Sequence, residues 1–392
     1  MNSFQCKSAV LYKSIKEKYI FIYVVFLFIR LNPLSTIIIP GKVDSIFFSL
    51  LAVSGVFIML IDMFGERCLL KTRYSVLLFM FMVSLLISSL LNIEYGFFNN
   101  FKTFIWTGIS FFLLYVFNTS IDKKDVIKKI RLFQNMFIIY SFITVLISLI
   151  MFMVGFEYSV KLDSGKIIRL GFVENRLFGM FCDPNFISIL CIVVIIFSIY
   201  NYRLEERKSI RIFYIFNIAI QFFYLILSGS RTGEVSAIVT LALVSVFEVW
   251  VYLKAKNISR GLKLFYLVVA PIFVCIIFVL VMNITKIGLT YLPSLIQVAF
   301  SNSHDKVIVP ANLSREDVVN STDISNLRFK IWESAFELFK SKPIFGTSPR
   351  NMISYAKDKF PNSFIAQRKY MVHNAYIDTL TSTGIVGFII LI

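Results

Sequence analysis

Ten apolar runs constrain this chain more than any other feature. They lie at 19–39, 45–63, 74–91, 103–117, 133–155, 186–200, 212–227, 235–253, 264–283 and 376–392, and most are joined by short polar loops. In hydrocarbon a backbone amide finds no water, so a run of this kind must satisfy its own hydrogen bonds, and the α-helix does so within one segment. About 20 residues cross a bilayer comfortably. The shorter runs here are completed by flanking aromatics or local thinning. The predicted fold class is therefore all-α: a polytopic membrane helical bundle of about ten spans. Composition agrees, with 57% hydrophobic residues, 16% charged residues and a mean hydropathy of +0.77, against about 45–50% apolar in soluble domains. The first run is interrupted by Arg30, Asn32 and Pro33, which marks a bend or an early end. No small-residue cleavage site follows it, so it reads as an uncleaved span rather than a signal peptide.

The net charge of +17 sits in the loops, and it alternates. One set of loops (1–18, 64–73, 118–132, 201–211 and 254–263) carries twenty Lys and Arg, and the opposite short and middle loops carry seven. Excess positive charge marks the cytoplasmic side. The N-terminus is then cytoplasmic, and loops 156–185, 228–234 and 284–375 face out. This use of the basic residues makes nucleic acid a poor partner, since no soluble binding module accompanies them. Of the five cysteines only Cys182 lies near the outer face, so no disulfide framework is expected.

Three domains follow in chain order: a nine-span bundle over 1–283, a long outward loop over 284–375, and a last span over 376–392. That last run stops with no basic flank behind it, as in a chain cut short. The long loop holds both histidines, His304 and His373. It is expected to contain amphipathic helices, of which one is readable. Asp323 or Ser325 caps its start, Leu327, Ile331, Ala335, Leu338 and Phe339 share a face, and Pro343 stops it. That face rests either on the membrane surface or on packed protein.

Three outward sites carry candidate chemistry. The first is Arg176 through Asn185, with Arg169 just ahead. The second is the turn Ser228-Gly229-Ser230-Arg231-Thr232-Gly233-Glu234. The third pairs Arg328 with His373-Asn374. Singly, each has a plain explanation: an Arg at a membrane edge is usually a snorkelling anchor, and a lone His near a span is usually a hydrogen-bonded structural residue. Together they suit a lipid-linked diphosphate donor and a hydroxyl acceptor. Planar guanidinium forks pair with phosphate oxygens in two places, and an imidazole takes a proton from a hydroxyl near neutral pH. That reading requires the cations and His373 to share an outward cavity. Metal chemistry has no ligand spacing to build on, because there is no HxxxH, CxxC or outward DxD pair.

At these residues the sequence resembles the superfamily of O-antigen ligases and O-antigen polymerases, enzymes of the bacterial envelope. The resemblance rests on Arg176 through Asn185, on Ser228-Gly229-Ser230-Arg231-Thr232, and on Arg328-Phe329-Lys330-Ile331-Trp332 followed by Pro343 and Gly346. It rests also on His373-Asn374-Ala375-Tyr376 with Thr383-Gly384-Ile385-Val386-Gly387. It covers about 170–392. It implies a GT-C type glycosyltransferase in the bacterial inner membrane, without cofactor or metal, acting at the periplasmic face on undecaprenyl-diphosphate-linked oligosaccharide. By that resemblance His373 is the base, Arg176, Arg231 and Arg328 hold the diphosphate, and Asn185 and Asn374 support them. A chain-length regulator protein is the expected protein partner, alongside membrane lipids. The closest match is to an O-antigen polymerase; the ligase of the same superfamily and a flippase for lipid-linked sugars are the alternatives.

Overall fold

The computed structural model describes residues 3–33, 35, 38–66, 74–115, 123–161, 167–256, 258–300, 309–314 and 327–392. His304, Cys68, Asp323 and Ser325 lie outside these. The chain is a helical membrane bundle that divides into two compact units. One comprises Met1–Phe26, Ile39–Lys128 and Asn320–Ile392; the other comprises Leu27–Ile38 and Lys129–Val319. The three domains read from the sequence follow chain order, whereas these units interleave along it.

The first unit opens with α1 (Ser3–Leu31, whose end from Leu27 belongs to the other unit), α2 (Gly41–Ile61), α3 (Ser75–Leu91) and α4 (Phe98–Ile109). On α1, Tyr12, Lys16, Tyr19, Tyr23 and Phe26 recur every three or four residues, the spacing of one helical face. That face meets α2 and α4. Tyr19 Oη donates to the carbonyl of Leu51 at 3.0 Å, Tyr23 stacks on Trp106 at 5.4 Å between ring centroids, and Lys16 pairs with Asp62, to which Tyr12 Oη also donates. Helix α1 ends at Leu31 because Pro33 disfavours helical geometry at the residue before it, which settles the interrupted first run as an early end. Helices α2 and α4 each close in a π-turn, Asp62–Glu66 and Ser110–Tyr115.

The second unit contains α5 (Lys123–Met153, whose first turn belongs to the other unit), α6 (Pro184–Leu204), α7 (Lys208–Leu227), α8 (Arg231–Lys254) and α9 (Arg260–Phe300). Buried polar side chains tie α5, α6 and α7 together: Ser141 donates to Gln221, Gln221 to Asn217, and Asn217 to Ser198. In lipid, where helices gain little from apolar contact alone, such bonds hold neighbours together.

Among the described residues six helices, α2 with its π-turn and α5 through α9, are long and apolar enough to cross a membrane; α3 and α13 (Ala375–Leu391) are shorter apolar helices. The runs at 19–39 and 103–117 become the second half of α1 and α4 with its π-turn. Two features were not anticipated. Helix α9 passes through 283, where the ninth run was read to end, and continues to Phe300 with Pro271 and Pro293 inside it. Membrane helices tolerate such prolines when neighbours satisfy the freed groups. Loop 156–185 contains a three-stranded antiparallel sheet, β1 (Glu157–Lys161), β2 (Ile167–Val173) and β3 (Arg176–Gly179), in that order. Glu174 and Asn175, at φ 54° and 58°, form the two-residue turn between β2 and β3. Positive φ at both central positions matches the strand twist of a hairpin.

Candidate functional site

In the second unit the sheet presents Arg176 at the start of β3. Its Nε donates to the carbonyl of Ser228 at 2.9 Å and its Nη2 to Asn185 Oδ1 at 2.7 Å. One guanidinium thus joins the sheet to the start of α6 and to the turn before α8. Each partner is locally fixed. Asp183 caps α6 by accepting from the amide of Asn185, with Pro184 in the first turn, where it lacks only an amide that needs no partner. Ser230 caps α8 by accepting from Gly233, and Gly229 takes φ 57° to turn the chain between α7 and α8. Ser228 and Ser230 are buried and Arg231 is exposed. Arg169 pairs with Glu174 at 2.8 Å, and Phe178 lies beneath both Arg169 and Arg176, 5.7 and 6.0 Å from its ring centroid. The structure therefore brings Arg176, Asn185 and the Ser228–Arg231 turn into one cluster.

The closeness of that packing shows at Gly179 and Gly233. A Cβ on Gly179, which has φ 60°, would sit 2.1 Å from Ser148 Oγ, and one on Gly233 would sit 2.4 Å from Ser188 Oγ. Ser148 in turn accepts from the amide of Met180. The sheet is thus seated directly on α5, and α8 on α6.

In the first unit, α10 (Arg328–Ser341), α11 (Met352–Lys359), α12 (Phe364–Arg368) and α13 enclose a small core. Its members include Ile331, Ala335, Leu338, Met352, Tyr355 and Ile365. The amphipathic face read from the sequence is thus buried against protein rather than left for lipid. Arg328 is exposed at the start of α10. One turn on, Trp332 Nε1 donates to the carbonyl of Val372 at 3.1 Å, fixing the residue before His373. His373 is exposed and takes φ 53°. Asn374 caps α13, its side-chain oxygen accepting from Tyr376 and Ile377 at 3.0 and 3.2 Å.

Helix α13 is broken inside its apolar run. Gly384 has φ 66° and ψ −167°, and segment 343–348 runs through the break. Thr347 and Ser348 donate to the carbonyls of Thr381 and Ser382, and Ile385 and Val386 donate to Pro343 and Ile344. Four backbone groups at the kink are taken up by this segment, as an interrupted helix in a membrane requires. Asn92 on the loop after α3 braces the same segment, donating to Gly346 and accepting from Lys342.

Sequence reading passed over Arg350 and Asp378. Arg350 is held by Asn100 and Thr103, its amide and its Nε each donating at 2.9 Å. Burial is the largest influence on the Asp378 carboxylate, and its neighbours Arg350 and His373 act against it. The signal available in the sequence was Asp378 itself, an acid in the first turn of an apolar helix. Among the described residues no group of three His, Cys, Asp or Glu is placed to hold a metal ion.

Residues 216–392 match the model of the O-antigen ligase family. The match begins on α7 and takes in Arg231, Arg328, the broken α13 and His373-Asn374, while Arg176 and Asn185 lie outside it. It supports the superfamily that the motifs resemble, whose members are multi-pass membrane proteins of glycosyltransferase type in O-antigen and lipopolysaccharide processes. Neither a curated protein nor a solved structure matches the chain.

Proposed function

We propose that this chain polymerises lipid-linked O-antigen repeat units at the periplasmic face of the bacterial inner membrane. The observation that carries the proposal is the family match over 216–392, which takes in the capped His373-Asn374 start of α13. In this reading a sugar hydroxyl of one lipid-linked unit attacks the anomeric carbon of the growing glycan. The bond from that carbon to the phosphate oxygen breaks, its electron pair leaves with undecaprenyl diphosphate, and the hydroxyl proton passes to His373. Arg176, Arg231 and Arg328 hold the diphosphate, and Asn185 and Asn374 fix the groups beside them. Because the leaving group is already a stabilised diphosphate, arginines suffice to take its charge. A chain-length regulator protein is the expected companion of such a polymerase.

The ligase, which moves finished polymer to a sugar of the lipid A core, is favoured by the description of the matching family. A deletion strain separates the two, with single-repeat lipopolysaccharide for a lost polymerase and bare core for a lost ligase. A flippase wants ionisable groups along a path through the bundle. Of the in-span ionisable residues Arg30, Asp62 and Glu248, two are engaged in ion pairs, Asp62 with Lys16 and Glu248 with Arg203, which speaks for structural roles. The decisive test is His373→Ala returned to the deletion strain. The expected result is loss of long chains at normal protein level; a normal polymer ladder ends the assignment of His373 as base.

A further inference from the structure

We propose that Asp378 is the positioning residue of His373, the two forming a carboxylate–imidazole pair at the start of α13. This rests on the assignment of His373 as base. Asn374 is the cap, so His373 stands one residue before it and Asp378 four residues after it. At helix starts these two positions pack on each other, and ordinarily both are apolar. Here they are an imidazole and a carboxylate.

The rest of the site agrees. Asp378 Oδ1 is buried and has no hydrogen-bond partner, an unusual and costly state for a carboxylate oxygen. The hydroxyls that follow it on α13 do not serve it. Thr379 donates to Ala375, Thr381 to Ile377, and Ser382 and Thr383 to Thr379, all at backbone carbonyls. Arg350 is one neighbouring charge acting on the carboxylate, and it is anchored by its Nε on Thr103. His373 is the other neighbour acting on it, and its ring is exposed. The backbone beneath that ring is held from both sides, by Trp332 on Val372 and by the Asn374 cap.

A ring N–H directed at Asp378 fixes the tautomer and leaves the lone pair of the other nitrogen for the acceptor hydroxyl. When that nitrogen takes the proton, the carboxylate stabilises the imidazolium. This is the role the acid plays in Ser-His-Asp hydrolases.

The test uses full-length protein in nanodiscs. His304 and His373 are the two histidines of the chain, so His304→Gln leaves one imidazole for ring-nitrogen NMR. The expected spectrum shows one dominant tautomer at a pH where the ring is neutral, and Asp378→Asn abolishes that preference while Asp378→Glu retains it. In glycan extension, Asp378→Asn lowers kcat by about tenfold or more with KM within about twofold, the pattern of a group acting through the base. Asp378→Glu recovers a measurable part. An unchanged ring spectrum in Asp378→Asn overturns the pair whether or not the protein extends glycan. Absence of extension by the parent protein, with the tautomer effect intact, overturns the polymerase reading and leaves the pair standing.

Discussion

Gly384→Ala tests whether the break in α13 is built into the fold. Its φ of 66° and ψ of −167° fall in a region open essentially to glycine, and a side chain there costs about 1–3 kcal/mol. A Cβ would also lie 2.2 Å from the carbonyl oxygen of Ile344 and 2.6 Å from the amide nitrogen of Phe345. Both are backbone atoms, so rotamer change gives no relief. Moving segment 343–348 away strains the bonds from Ile385 to Pro343 and from Val386 to Ile344. Leaving such groups unsatisfied costs about 1–3 kcal/mol each. The combined expectation is a loss of about 3–9 kcal/mol, or roughly 6–36 °C in the melting temperature of a unit this size. Thermal unfolding of purified protein in detergent measures it. Gly261→Ala and Gly288→Ala serve as controls: both sit in α9 with nothing within 4 Å of an added Cβ, and each should hold or slightly raise stability. A Gly384→Ala protein that melts within about 2 °C of the parent refutes the reasoning.

Asp62→Asn leaves the Lys16 ammonium buried without its counter-charge. Breaking a buried pair from one side costs about 3–5 kcal/mol, so melting temperature and membrane yield should both fall, while the double variant Lys16→Met/Asp62→Leu regains most of the loss. Arg176→Lys keeps the charge but cannot reach both the Ser228 carbonyl and Asn185 Oδ1; it should cost about 1–3 kcal/mol and lower glycan extension. Arg231→Lys, at an exposed position, should stay within about 0.5 kcal/mol of parent stability, with its effect confined to extension.

The spans were legible because hydrocarbon imposes one rule on every residue of a run, and that rule survives ignorance of the neighbours. Helix α10 was legible for a related reason: Ile331, Ala335 and Leu338 repeat at the helical period, and a buried face needs nothing more to reveal itself. The sheet at 157–179 was missed although Ile168 and Leu170 alternate inward, because a short alternation beside ten long apolar runs reads as loop. The end of α9 was missed because polarity was taken as the mark of a loop, while Ile284, Ile287, Leu292 and Leu295 carried a helix onward. At the site, Arg176, Arg231 and His373 announced themselves as charged or titratable residues beside span ends. Arg350 and Asp378 did not, since their meaning depends on a cap and a broken helix. Only once Asn374 is seen to accept from two amides do residues 373 and 378 become neighbours across the first turn. An acid in that position then ceases to be a dipole-complementing surface charge and becomes, in the reading proposed above, a partner for His373. Segment 343–348 deepens the point: its sequence reads as a helix stop, Pro343 then Gly346, whereas its work is to supply hydrogen bonds to the gap at Gly384. The break keeps the capped half of α13, Asn374 to Thr383, as a short helix tied to α10 through Thr381 and Ala335. The imidazole is thereby mounted on protein with its own core, rather than on a span free to tilt with the lipid.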